Sequence, residues 1–202
     1  MIIKTVAELR ELIAEPNPVV GHKVQRSLSP QARDFIARSP FLLLATTNRS
    51  GEPTVSPKGD DPGFVWVEDD STLCLPERKG NRLLYGLQNI LENPNVALIF
   101  LLPGTGETLR VSGIAELVND TALNLKLAAR NQAALLAVRI RIRKCYFHCA
   151  KALLRSELWQ TQRWAETVKI SFGEEIARNQ GLANSDVNEF DAQVAQRYKT
   201  DL

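Results

Sequence analysis

The stretch "PERKGNRLLYGLQNILENPNVALIF", Pro76–Phe100, carries the reading that decides the fold. An apolar run ends at Pro76, and Arg78, Lys79 and Arg82 then gather around Gly80. Leu83, Leu84, Leu87, Ile90 and Leu91 follow on one helical face, which stops before Asn93-Pro94, and a second apolar run opens at Val96. The order is strand, basic turn, helix, strand. Gly80 allows a close backbone approach, Asn81 stands at the expected N-cap, and Arg82 falls in the expected first turn. Side-chain charge and free backbone N–H groups would then converge on one point, which suits a phosphate. A cation in the first helical turn opposes the macrodipole by ~0.3 to 1 kcal/mol when exposed, and a bound anion reverses that sign. A solvated turn that merely collects polar residues is the alternative. The glycine spacing matches neither a Walker loop nor a Rossmann fingerprint.

The flanking sequence reads as antiparallel β-structure. "SPFLLLATTN" and "GEPTVSPKGD" form a hairpin through Asn48-Arg49-Ser50-Gly51. In its second strand Thr54, Ser56 and Lys58 share one face, and Pro57, which cannot donate to a ladder, predicts an edge position. "GFVWV" and "STLCLP" make a second hairpin, followed by "NVALIFLLP", "ETLRVSGIAELV" and "LLAVRIRIRKCYFHC". Thr108 and Arg110 lie on the polar face of the penultimate strand, and Arg139, Arg141 and Arg143 alternate with apolar residues in the last. That arginine ladder is read as a solvated or interface face. Seven strands joined by short turns predict a closed or nearly closed barrel.

Helical patterns flank it. Val6, Leu9, Leu12 and Ile13 share a face near the N-terminus, and a second helix is expected over Pro30–Arg38. After Cys149, helices are expected over Lys151–Trp164, over "SFGEEIARNQG" with a Ser171–Glu174 capping box and a stop at Gly181, and through Val187, Phe190, Val194 and Tyr198. The fold class is therefore α+β. One domain is expected over residues 1–202, with a barrel over about 40–149, a helical N-terminal extension 1–39 and a helical C-terminal extension 150–202. A tail of ~50 residues holds too little core to stand alone.

Of 202 residues, 44% are hydrophobic, and 25 basic against 23 acidic side chains leave a formal net charge of +2. No global field draws such a molecule to nucleic acid or an anionic membrane, so neither is expected as a partner and any anion site must be local. The longest apolar run is far below the ~20 residues that span a bilayer. Three cysteines make no disulfide framework in a chain this long, and the N-terminus lacks a secretory apolar core, so a cytoplasmic protein is expected.

Taken in order, "FLLLATTNRSGEPTVSPKGD", the acidic hairpin, "PERKGNRLLYGLQNILENPNVALIF" and "GETLRVSGIAELV" resemble the pyridoxamine 5'-phosphate oxidase-related flavoproteins, the FMN-binding split-barrel family, nearest its FMN-dependent branch of unassigned substrate. The resemblance covers roughly residues 40–160. It implies FMN as cofactor, with Arg78 and Lys79 gripping the phosphate and Asn81 and Arg82 assisting. It also implies that Ser56, Pro57 and Lys58 run along the isoalloxazine, and that Thr108 and Arg110 lie on a strand beside the cofactor. Members are homodimers with the flavin at the interface, so His148, Lys151 and Arg155, with Trp159, are expected to complete the site of a second copy. A basic helix packing by Ala152, Leu153 and Leu158 is the alternative for that segment. Ser56 stands where pyridoxamine 5'-phosphate oxidases align an arginine, which argues against oxidation of pyridoxamine phosphate.

Cys145, His148 and Cys149 offer three ligands within five residues and no distant fourth, so no metal site is assigned. No nucleophile or acid–base pair stands out, and no catalytic residue is assigned. The expected function is an FMN-dependent oxidoreductase acting on a small organic substrate. Alternatives are a non-catalytic flavin or haem binding and storage protein, a true pyridoxamine 5'-phosphate oxidase, and a structural barrel with a solvated basic turn.

Overall fold

In the computed structural model, residues 2–180 and 183–201 are described. Helix α1 (Val6–Leu12) begins at Thr5 with a complete capping box: Thr5 accepts from Glu8 N, and the Glu8 carboxylate accepts from Thr5 N. Helix α2 (Pro30–Arg38) has Pro at its first position behind a Ser29 cap and buries Ala32, Phe35 and Ile36. The strands are β1 (Phe41–Thr47), β2 (Pro53–Gly59), β3 (Trp66–Asp69), β4 (Thr72–Glu77), β5 (Asn95–Leu101), β6 (Thr108–Val118) and β7 (Leu136–His148). Helix α3 (Tyr85–Glu92) joins β4 to β5, and α4 (Thr121–Lys126) joins β6 to β7. Helices α5 (Lys151–Ser156), α6 (Phe172–Gln180) and α7 (Asn184–Thr200) follow.

All seven strands form one antiparallel sheet in the order β2-β1-β5-β6-β7-β4-β3. The sheet is open rather than closed. Its β2 edge carries Pro57, which has no N–H to offer a further neighbour, and β3 at the other edge is only four residues long. This is the split-barrel arrangement. Strict alternation in β1, where Leu42, Leu44 and Thr46 are buried, and in β5, where Val96, Leu98 and Phe100 are buried, sends one face of each strand inward. Those residues join Leu73, Leu75, Leu109, Val111, Val138, Ile140 and Ile36 in the core.

Two features hold the ends in place. At the β6–β7 bulge between Ser112 and Gly113, any Cβ on Gly113 would run into the Arg141 carbonyl, so only glycine fits there. Helix α3 is tied across β1 and β2 by Asn89, whose buried amide donates to Thr46 Oγ1 (3.1 Å) and Thr54 Oγ1 (3.2 Å).

The C-terminal expectations need correction. The helix expected over Lys151–Trp164 ends at Ser156, because Glu157 adopts a left-handed conformation (φ 52°) and a single 3-10 turn follows at Thr161–Arg163. The expected packing side of α5 is also mostly exposed: only Leu153 is half-buried. Ser171 Oγ caps α6 by accepting from Glu174 N, while the expected stop at Gly181 lies outside the described residues. Helices α6 and α7 pair through Gly173, whose N–H donates to Asp191 and whose missing Cβ lets the Val187 backbone approach. Among the described residues no helix is long and apolar enough to cross a membrane.

Candidate functional site

Where the sheet is split, the inner face of β2 looks across at the end of β4. Two adjoining lobes, about 440 and 480 Å³, fill that gap. Both are lined by Ser56, Lys58, Arg78, Lys79 and Asn81; Pro57 lines the first, and Arg82 with Leu84, Gly86 and Leu87 of the α3 start lines the second. The register explains the β2 contribution. Ser56 and Lys58 stand opposite inward-facing Leu44 and Leu42, so their side chains point to the barrel interior at its open edge.

Arg78 is held on two of its three nitrogens. Its Nε donates to Asp60 Oδ2 (3.0 Å) and its Nη2 to the Leu127 carbonyl (2.7 Å), while Nη1 is buried with no partner among the described residues. Lys79 and Arg82 are exposed and make no ion pair among the described residues. Lys58 is not a free cation: its ammonium lies 2.6 Å from Glu77 Oε2, with both side chains largely buried. Arg130 reaches the same carboxylate of Asp60 from the opposite side (3.0 Å), and Asp201, just beyond α7, brings a further carboxylate to both lobes.

The turn itself departs from expectation. Helix α3 begins at Tyr85, and its N-cap is Leu84 in a left-handed conformation with no side-chain cap bond. Asn81 instead accepts from Leu83 N at 3.1 Å, closing a small turn ahead of the helix, and Arg82 (φ 63°) precedes the helix rather than sitting in its first turn. No side chain among the described residues caps the first turn of α3, whose Gly86 and Leu87 line the second lobe.

Thr108, Arg110 and His148 gather elsewhere. Thr108 pairs with His148, and Arg110 with Tyr146, at the far end of the β6–β7 ladder. Glu77 pairs with Leu136 at the near end of β7, whereas the register Pro57–Leu43–Ile99–Arg110 puts Arg110 level with Pro57 and three strands across the sheet, ~15 Å away, on the face opposite the buried Leu109 and Val111. Arg110 Nε is buried without a partner among the described residues. His148 has its pKa lowered by burial and by the charges of Arg110 and Lys23. Lys151 and Arg155 are exposed on α5, and Trp159 donates its indole N–H to the Thr105 carbonyl (2.8 Å). Cys145 is buried, its thiol pushed up to about 11, Cys149 is exposed, and no three metal-ligating side chains gather among the described residues. In the arginine ladder, Arg139 forms a two-point pair with Glu68 (2.6 and 2.8 Å), while Arg141 and Arg143 are exposed.

Asp60, Glu77, Asn89, Arg130 and Asp201 shape this site without having been singled out in the sequence. Glu77 stood beside Arg78 in the opening stretch, where its proximity offered the one available signal. Asp60 meets Arg78 across 18 residues, Asn89 and Arg130 make their contacts 35 or more residues away along the chain, and Asp201 lines both lobes from beyond α7.

The pyridoxamine 5'-phosphate oxidase family model matches residues 28–149, more than half of the chain. The chain belongs to that family. Among solved structures this family member is similar to HupZ of Group A Streptococcus, at 18% identity and TM-score 0.49 over 59% of this chain and 93–98% of HupZ. It is also similar to a candidate pyridoxamine 5'-phosphate oxidase of Lactobacillus delbrueckii (25%, TM-score 0.47, 60% of this chain and 95% of that one). A structure titled F420 reductase matches at 25% identity, TM-score 0.43, over 60% of this chain and 98% of that one. No curated protein matches the family member.

Proposed function

We propose that the protein is an FMN-binding flavoprotein, an FMN-dependent oxidoreductase for a small organic substrate, with each flavin held between two copies of the chain. The observation that carries this reading is the Arg78 Nη1 group, buried and, like the Lys79 ammonium beside it at the end of β4, without a partner among the described residues. A buried donor without an acceptor is costly, by ~1 to 3 kcal/mol, and a phosphate oxygen would satisfy it. The cleft size also falls in the usual range for small-ligand sites, ~300 to 1,000 Å³. Arg78 and Lys79 would hold the FMN phosphate, with Asn81 and Arg82 at its edge, and Ser56, Pro57 and Lys58 would line the ring system. When bound, FMN supplies two-electron redox chemistry that no side chain of the cleft carries. Glu77 sets the electrostatics of the ring wall: paired with it, Lys58 contributes direction more than net charge. That pairing also removes the β2 cation from the service of a second phosphate, in keeping with a substrate other than pyridoxamine phosphate.

Arg110, whose buried Nε has no partner among the described residues, lies on the face of β6 opposite the buried Leu109 and Val111, which favours assembly across a two-fold axis, in which the far end of β7, with Lys151 and Arg155, completes the cleft of a second copy. Flavin titration tests the grip. Changing Arg78 and Lys79 together to Ala removes two charge-assisted bonds of ~1.5 to 3 kcal/mol each, so FMN affinity should fall at least about 100-fold with the fold retained. Unchanged affinity would overturn the assignment. Reduction of the bound flavin by a nicotinamide donor and its reoxidation by an acceptor separates an enzyme from a flavin carrier, and a Soret band on purified protein would favour haem.

A further inference from the structure

Arg78 is positioned by a device assembled from three separate segments. β2 ends at Gly59, and the next N–H, that of Asp60, donates to the Pro40 carbonyl at 3.1 Å, which anchors Asp60 beneath the cleft. The Asp60 side chain is 3% exposed. Its Oδ2 accepts from Arg78 Nε (3.0 Å), and its Oδ1 accepts from Arg130 Nη1 (3.0 Å) and from Asp61 N (2.9 Å). The Leu127 carbonyl takes Arg78 Nη2 at 2.7 Å. Two anchors on different elements fix the plane of the guanidinium and leave one nitrogen, Nη1, without a partner among the described residues.

Arg130 reaches Asp60 by a strained route. Ala129 and Gln132 exchange backbone bonds (3.0 and 2.8 Å), and the two residues between them, Arg130 (φ 48°) and Asn131 (φ 63°), are both left-handed. Such a two-residue turn ordinarily takes Asn-Gly, and an arginine in its first central position is held against its own preference. Strain maintained at a turn whose tip lines a ligand cleft points to a role for that tip. The charges point the same way. The two lobes are lined by five cations (Lys58, Arg78, Lys79, Arg82, Arg130) and three carboxylates (Asp60, Glu77, Asp201), with the exposed Asp61 carboxylate 3.8 Å from Arg130 Nη2, and the excess of positive charge in the lining suits the charge of about −1.5 to −2 on a phosphate monoester.

We infer that Asp60 is a positioning residue for the phosphate-binding face of Arg78, and that Arg130, carried on the 129–132 turn, is a further phosphate-binding cation of the same cleft. This deepens the FMN reading and rests on it. The experiment compares FMN with riboflavin, which has the same ring system and no phosphate. For the wild-type protein, FMN should bind at least 100-fold more tightly than riboflavin. In Asp60→Asn, a single amide oxygen cannot serve both arginines, so the FMN preference should fall at least tenfold while riboflavin affinity stays within about twofold. Arg130→Ala alters a half-exposed side chain and should fold normally even if Asp60→Asn does not; its preference should fall about three- to tenfold. Equal losses for both ligands, or an undiminished preference in Arg130→Ala, would overturn the inference and leave FMN binding intact as a conclusion. A wild-type protein that binds neither flavin overturns the FMN reading and this inference with it.

Discussion

His148 ends β7 half-buried opposite Thr108, with Arg110 and Lys23 as its charged neighbours, and each of these conditions disfavours its protonated form. Its folded-state pKa therefore lies below the ordinary 6.5, so the unfolded chain takes up the proton first as pH falls. Stability present above pH 6.5 should be lost as pH drops through that value toward the lowered folded pKa, with no further loss from this group below it. Thermal melts of ligand-free protein from pH 7.5 to 5 should show this decline, and His148→Gln should flatten it. Parallel curves for both proteins would show that the imidazole is solvated like a free one. The Lys58 and Glu77 pair makes a related point about single residues. Alternation in β2 shows that Lys58 faces inward, whereas its neutralisation by Glu77 depends on β2 and β4 meeting across the open edge, which no spacing in the sequence encodes.

At the scale of elements, periodicity and breakers explain most boundaries. Pro30 behind Ser29 starts α2, and Asn93-Pro94 stops α3, each through its own backbone chemistry. The basic turn and α5 departed from expectation where left-handed residues that are not glycine intervene: Arg82 and Leu84 in one, Glu157 in the other. Sequence patterns associate that conformation with Gly and Asn, so arginine, leucine and glutamate give no warning of it. Gly113 is the opposite case, a glycine whose necessity is set by packing. Gly113→Ala should destabilise the protein by about 3 kcal/mol, because the added methyl meets backbone that belongs to the longest ladder of the sheet and cannot swing aside. Chemical denaturation would measure this, with Ser112→Ala at the neighbouring half-buried position as a nearly neutral control. A midpoint unchanged from wild type would mean that the bulge opens freely.

For the whole molecule, the proposed site requires two copies. Sedimentation at micromolar concentration should show a homodimer with about one FMN per chain, and a monomer that retains FMN would contradict an interfacial site. The sequence by itself determined the strand count, the edge position of β2 and the basic pair after β4, because alternation, proline's missing N–H and clustered charge are local properties written in neighbouring residues, and the order of its motifs carried the resemblance to the family that the family model matches. Only the tertiary structure decided that the sheet stays open between β2 and β3, that Asp60 clamps Arg78 together with Arg130 and the Leu127 carbonyl, and that Arg110 stands level with Pro57 but three strands across the sheet, on the face opposite the one that Ser56 and Lys58 present to the cleft. Those outcomes depend on pairing order and on contacts between residues up to 70 positions apart, where the chain's connectivity places no limit on which charge meets which.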